Sequence, residues 1–324
     1  MTVLVTGGTG FIGSHIVREL VGQGEKVVII DINRDTRIMK SLGVNLDEVK
    51  VTQGDATDLV NLLYTMKKNE VSGVIHLAAI LSVKSAANPR LAFDVNVKGV
   101  VNLLDVARIM DVKRVIYISS GSVYGSSQYE PVDEEHPTNS DDLYSATKIF
   151  AEMWGLNYGK LYNLDFISLR LGYVYGIGQL SQPGHRQAAE LIESAFINKK
   201  VKWPHGRDHK MNLVYVKDVV RGISLAYYTK LLEHNIFNIS SGKQHTYWEL
   251  GNVIKKIIPD ASVEIGSGFI DHEETGLMDI TRAKKELGYD PFYTMEEGVK
   301  DYVKWLRENK EWWGTRNLLG QLRS

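Results

Sequence analysis

The sequence predicts an α/β fold: a doubly wound parallel sheet with a second, smaller α/β lobe. Three features carry this. Short apolar strands alternate with amphipathic helices, a glycine-rich turn joins the first strand to the first helix, and the alternation loses its regularity after residue 171. The first strand, 2–6, runs through Val3, Leu4 and Val5 into the turn and then into a helix over 11–22. Further strands are expected at 26–30, 48–52, 73–77, 114–118 and 165–169, with helices at 34–42, 57–68, 88–110 and 141–162. Such alternation requires right-handed crossovers and helices on both faces, with a ligand crevice at the carboxyl ends of the strands. Residues 1–170 are therefore expected to form the main domain, and 171–324 mainly a substrate-binding lobe and a C-terminal tail. Two segments are expected to return to the main domain: a strand near 236–240, on Phe237-Asn238-Ile239, and a helix near 294–308. Loops rich in glycine, proline and histidine at 176–186 and 203–210 fall in the smaller lobe.

The turn Gly7-Gly8-Thr9-Gly10-Phe11-Ile12-Gly13 has the form of a seat for a pyrophosphate. One glycine is needed where φ turns positive, one where the backbone touches phosphate oxygens, and one where a side chain would hold helix and strand apart. The helix then turns its positive end toward the anion. The second strand, Val27-Val28-Ile29-Ile30, ends in Asp31, eighteen residues after Gly13. A carboxylate there accepts both ribose hydroxyls of adenosine and repels a 2′-phosphate, so NAD is expected rather than NADP. Arg34 is close enough in sequence to leave NADP as a minor alternative.

Composition excludes several classes. Lysine plus arginine total 38 and aspartate plus glutamate 39, so no global field attracts nucleic acid or an anionic membrane. No apolar run reaches spanning length, the first strand begins at Thr2 with no room for a signal peptide, and cytoplasmic residence is expected. Cysteine is absent, which removes disulfides, thiolate catalysis and cysteine-based metal sites. No metal site is expected: His205 and His209 have helical spacing, but Pro204 and Gly206 make their segment a solvated loop.

Tyr144-Ser-Ala-Thr-Lys148 carries the chemistry. On a helix, residues four apart share a face, so the lysine ammonium is expected under the phenol, lowering its pKa toward the working pH of a general acid or base. Tyr64-Thr-Met-Lys-Lys68 has the same spacing but no partner sequence, and is expected on the surface. Tyr144 instead follows Ser119-Ser120-Gly121-Ser122-Val123-Tyr124-Gly125, where hydroxyl residues leave the fifth strand.

These segments, with Gly54-Asp55-Ala-Thr-Asp58, His76-Leu-Ala-Ala79, Asn88-Pro89, Asn96, Arg170 with Val174-Tyr-Gly176, Val214-Tyr-Val216 with Asp218, and Asp279 through Leu287-Gly288, resemble an extended short-chain dehydrogenase/reductase of the NAD-dependent epimerase/dehydratase family. The resemblance spans nearly the whole chain and implies a Rossmann domain with Ser120, Tyr144 and Lys148 as catalytic residues. It implies cofactor contacts from Gly7, Gly10, Phe11, Ile12, Gly13, Asp31, Asn33, Asp55, Ala56, Leu77, Ala78, Ala79, Asn96 and Ser119, with Lys148 and Tyr144 at the nicotinamide end. Substrate contacts are implied for Ser82, Ser120, Ser122, Tyr144, Tyr173 and Met211.

Departures from the family bear on the substrate. Gly121 and Ser122 stand where dehydratases carry acidic residues, which argues against water elimination. Tyr173 replaces an asparagine, and Met211-Asn212 an arginine-aspartate pair, that normally touch a nucleotide-sugar. Lys202, Arg207, Lys210, His185 and Arg186 are the cations available to replace the arginine. The expected activity is epimerisation of a sugar or nucleotide-sugar through transient oxidation, with oxidation of a smaller alcohol, sugar or sugar acid as the alternative and dinucleotide sensing as a remote one. Helices 88–110 and 141–162 carry apolar residues on more than one face, including Leu91, Phe93, Val97, Val101 and Leu104, and Ile149, Phe150, Met153, Trp154 and Leu161; a homodimer through this pair is expected.

Overall fold

Strand β1 (Thr2–Thr6) is buried on both faces because Val3, Leu4 and Val5 leave no polar side to present to water. The computed structural model describes residues 1–139, 142–179, 186–197, 200–270 and 276–310. From β1 the chain passes through α1 (Phe11–Gly22), β2 (Lys26–Asp31), α2 (Arg37–Ser41), β3 (Val49–Gln53), α3 (Leu59–Lys68) and β4 (Gly73–His76). It continues through α4 (Ser82–Ala87), α5 (Pro89–Phe93), a wide π turn (Asp94–Lys98), α6 (Gly99–Ile109), β5 (Arg114–Ser120), α7 (Leu143–Tyr162) and β6 (Phe166–Leu171). The expected helix over 88–110 is thus interrupted by a π turn, and the one over 34–42 shortens to Arg37–Ser41.

The chain then runs through β7 (Tyr173–Tyr175), α8 (Gln187–Phe196), β8 (Lys200–Trp203), β9 (Lys210–Met211), β10 (Leu213–Tyr215), α9 (Val216–Tyr228) and β11 (Ile236–Ile239). It ends with β12 (His245–Thr246), α10 (Tyr247–Ile257), β13 (Ser262–Ile265) and α11 (Met295–Glu308). Outside the main sheet the short strands form two-stranded pairs, β10 with β7, β12 with β9 and β13 with β8.

The main sheet is parallel throughout, in the order β11-β6-β5-β4-β1-β2-β3. The direction of winding reverses between β1 and β4, where Thr6 is in register with His76, and a crevice opens at their carboxyl ends. Helices α1 and α9 pack together on one face, and α3, α6 and α7 form the successive contacts of the other. β11 lies at the sheet edge beside β6, whereas α11 packs on α8, α10 and β10. Among the described residues no helix is long and apolar enough to cross a membrane.

Candidate active site

The glycine turn lies at the floor of the crevice. Gly7 has φ +68°, and a Cβ there would come 3.0 Å from the amide nitrogen of Ala78; at Gly13 it would come 2.2 Å from the carbonyl oxygen of Gly7. Neither position has room for a side chain, which is the steric demand expected of a backbone cradle. Helix α1 starts at Gly10 with no side chain capping it, so its first amides face the cradle. Thr6 fixes the opposite wall: its hydroxyl pairs with His76 Nδ1 at 2.7 Å and accepts from the Ala78 amide at 3.3 Å. Burial, with the charge of Lys148 adding to it, lowers the His76 pKa to about 3 and keeps the ring neutral.

At the end of β2, the two oxygens of Asp31 accept from the amides of Thr9, at 3.1 Å, and Asn33, at 3.0 Å. One amide per oxygen leaves each with further capacity to accept a hydrogen bond. Asp55 accepts from the Thr57 amide at 2.8 Å and Ala56 is buried behind it. Asn96 is buried in the π turn, where it accepts from the Ile80 amide at 2.7 Å and donates to the Ile80 carbonyl at 2.9 Å and Thr147 at 3.1 Å. Its amide pins the loop after β4 to α7.

The crevice opens into a cavity of about 460 Å³ lined by Gly7, Gly10, Phe11, Ile12, Gly13, Leu77, Ala79 and Ser119 at one end and by Ser82, Ser122, Tyr173 and Met211 at the other. Ser120, Tyr144 and Lys148 line it between them. Asp142 caps α7 by accepting from the Ser145 amide at 2.9 Å, which sets the helix phase that turns Tyr144 and Lys148 inward. A buried pair, Glu152 on α7 and Arg170 on β6 at 2.7 Å, ties the helix to the sheet. Ser120 lines the cavity with Tyr144, and its hydroxyl accepts from the Ser122 amide at 3.2 Å.

Lys148 donates to the Ile118 carbonyl at 2.6 Å and sits 5.5 Å from the centroid of the Tyr144 ring. Burial lowers its pKa to about 7, with the Glu152 carboxylate opposing the shift. Against expectation, the Tyr144 pKa is raised: burial penalises the phenolate, the Ser120 hydroxyl only partly opposes this, and the Asp142 charge adds to it. The Lys148 ammonium is engaged by a carbonyl, and burial is the largest cause of the upward shift at Tyr144. Tyr64 and Lys68, 3.2 Å apart, lie on the exposed face of α3.

At the far end, the Tyr173 hydroxyl bonds the Gln187 side chain and accepts from its amide at 3.2 Å, holding the start of α8. Met211 is buried on β9 in register with His245. Asn212 donates to the Gly276 carbonyl at 2.9 Å and accepts from the Met278 amide at 3.0 Å. Of the cations named from sequence, Lys210 lines the cavity; Lys202 pairs with Glu264 at 3.8 Å, Arg207 lies over the Trp248 ring, Arg186 pairs with Glu193, and His185 is outside the described residues. His205 is exposed as expected, but His209 is buried, stacked on Tyr247, and lines the cavity. Sequence reasoning also missed Gln179 and Met278 as lining residues; they sit in irregular segments with no periodic signal.

Residues 3–240 match the NAD dependent epimerase/dehydratase family. Over 324 aligned residues the chain is 33% identical to a Methanocaldococcus jannaschii protein named "Putative UDP-glucose 4-epimerase", covering 95% of this chain and 99% of that protein. Its structure is similar to that of UDP-glucose 4-epimerase with UDP-glucose from Thermotoga maritima, with a TM-score of 0.86 and 28% identity over 96% of this chain and 100% of that one. UDP-glucose 4-epimerase from Thermus thermophilus in complex with NAD gives a TM-score of 0.82 at 29% identity, over 95% and 99% of the two chains.

Proposed function

The chain belongs to the NAD-dependent epimerase/dehydratase family and is an NAD-dependent enzyme; within that family we propose that it is a nucleotide-sugar epimerase acting by transient oxidation of a sugar hydroxyl. The observation that carries the proposal is the placement of Ser120, Tyr144 and Lys148 in one cavity between the glycine cradle and the Tyr173–Met211 wall. NAD supplies a reversible hydride acceptor. In this reading Gly7, Gly10, Phe11, Ile12 and Gly13 hold its pyrophosphate, Asp31 and Asn33 the adenosine ribose, Asp55 and Ala56 the adenine, and Lys148 the other ribose, with Leu77, Ala78, Ala79 and Ser119 along it. Ser120 orients the substrate oxygen, and Tyr144 takes its proton during oxidation and returns it during reduction. Absence of acidic side chains at Gly121 and Ser122 leaves no group there to drive loss of water.

A second reading, oxidation of a smaller alcohol with release of NADH, is favoured by the Tyr173–Met211 wall. A diphosphate needs donors or positive charge, Met211 offers neither, and Lys210 is the one cavity-lining candidate cation among the described residues. A melting experiment separates the two. At a ligand concentration 100 times the dissociation constant, UDP or dTDP should stabilise the NAD-bound protein by about 2.7 kcal/mol. No shift at millimolar nucleotide turns the assignment to the smaller substrate.

We also propose a homodimer through α5, the π turn, α6 and α7. Leu91, Phe93, Met153, Trp154 and Leu161 are exposed along these helices, Leu161 to 70%, while Leu104 turns into the core. Exposed apolar residues on adjacent helices fit a partner surface.

A further inference from the structure

Lys148 reaches the sheet across an aromatic ring. Its Nζ lies over the face of Tyr117, 4.8 Å from the ring centroid, and donates to the carbonyl of the next residue, Ile118, at 2.6 Å. Both side chains are buried, Lys148 to 3% exposure and Tyr117 to 2%. Successive side chains of a strand point to opposite faces, so Ile118 packs with Ile116 and Ile167 on one side of the sheet, while Tyr117 stands on the other with Leu4, Val28 and Ala151 of α7. The ring is held from both flanks: His76 on β4 stacks on it at 5.9 Å and Phe166 on β6 at 6.0 Å.

An ammonium removed from water needs a compensating field, and the groups around Lys148 supply little of it as charge. Glu152, one turn further along α7, attracts it but is already paired with Arg170 on β6 at 2.7 Å. His76 is kept neutral by burial, and Tyr144, whose ring centroid is 5.5 Å from Nζ, is a neutral phenol. The group lying directly against the ammonium is the face of Tyr117, and an aromatic face within about 6 Å attracts a cation more strongly the drier the site. We infer that Tyr117 is a positioning residue, whose ring face keeps the buried Lys148 ammonium charged and seated at the Ile118 carbonyl beside Tyr144. The inference rests on the role proposed above for Lys148 at the cofactor ribose, and adds the group that holds the lysine in the form this role needs.

Burial lowers the Lys148 pKa to about 7, so a modest loss of attraction decides its charge at neutral pH. Loss of the ring's electrostatic attraction lowers the midpoint further. Loss of packing alone admits water to the ammonium and raises it. The two effects differ in sign.

The midpoint is read without substrate, from the Cε resonance of carbon-13-labelled lysine followed across pH, the Lys148 signal being the one absent from Lys148→Met. Tyr117→Phe keeps the aromatic face and should leave the midpoint close to the parent's. A trifluorinated phenylalanine at position 117, of nearly the same shape but with an electron-poor face, and Tyr117→Leu should each lower it by about one pH unit. At pH 7 roughly one tenth of the lysine is then charged instead of one half, so these two variants should bind NAD about fivefold more weakly than the parent, with the gap narrowing below about pH 6. An unchanged or raised midpoint in the fluorinated and leucine variants, or an equal fall in Tyr117→Phe, overturns the inference and leaves the role of Lys148 standing. A lowered midpoint with NAD affinity unchanged, in these variants and in Lys148→Met alike, overturns the role of Lys148 and the positioning role of Tyr117 together.

Discussion

Lys148 donates to the carbonyl of Ile118 at 2.6 Å, whereas Lys68, at the same four-residue spacing from a tyrosine, meets the Tyr64 hydroxyl at 3.2 Å on the protein surface. The motif is the same; the environment is not. β5 brings a carbonyl and two serines to the buried pair, and α3 brings water to the other.

Tyr144→Phe should therefore lower turnover by at least ~10² while leaving NAD affinity nearly unchanged. Tyr64→Phe should alter neither. Equal losses in both variants, measured by initial rates and NAD titration, mean general destabilisation and remove the assignment.

Asp31→Ala should weaken NAD binding roughly tenfold to hundredfold, the loss of about 1.5–3 kcal/mol expected for a charge-assisted hydrogen bond, and should narrow the preference against NADP. Because Asp31 also receives the amides of Thr9 and Asn33, calorimetry should be paired with the melting temperature of the protein. Unchanged NAD affinity reduces Asp31 to a turn residue.

His76 supplies a pH prediction. Its folded pKa of about 3 lies below the ordinary value of 6.5, so between those values the unfolded chain binds a proton that the folded chain refuses. Its contribution is intact above 6.5 and is lost as pH falls toward about 3, at up to about 1.4 kcal/mol per pH unit within that window. His76→Phe should thus lose less stability than the parent between neutral pH and about 5, read as the change in the gap between their melting temperatures. A constant gap shows that His76 is not held neutral by the fold.

Light scattering at micromolar concentration should give twice the chain mass. A charged residue at Phe93 or Leu161, both exposed, should shift it toward the monomer with little change in melting temperature under dilute conditions. A monomeric parent removes the dimer.

The main sheet was legible because Val3, Leu4, Val5 and their counterparts in β2 and β4 are apolar runs bounded by glycine or aspartate, and burial on both faces demands that pattern. The cradle and the Tyr144–Lys148 pair were legible because sterics and helical periodicity fix their spacing. Other features depended on contacts between segments distant in sequence. Nothing local marks Asn96 as a staple of Ile80, and His209 reads as a loop residue until Tyr247, on a different element, covers it. The raised Tyr144 pKa was misread for a related reason: spacing shows that a lysine is near, not that the Ile118 carbonyl engages its charge or that burial shifts the phenol upward.

Incubation of the NAD-loaded protein with a panel of UDP- and dTDP-sugars tests the central proposal most directly. The parent should convert one of them to its epimer and Tyr144→Phe should not, with no net accumulation of NADH, since the hydride taken from the sugar is returned to it. NADH accumulating without the epimer, or no conversion of any nucleotide-sugar by a parent that oxidises a smaller alcohol, would contradict the proposal.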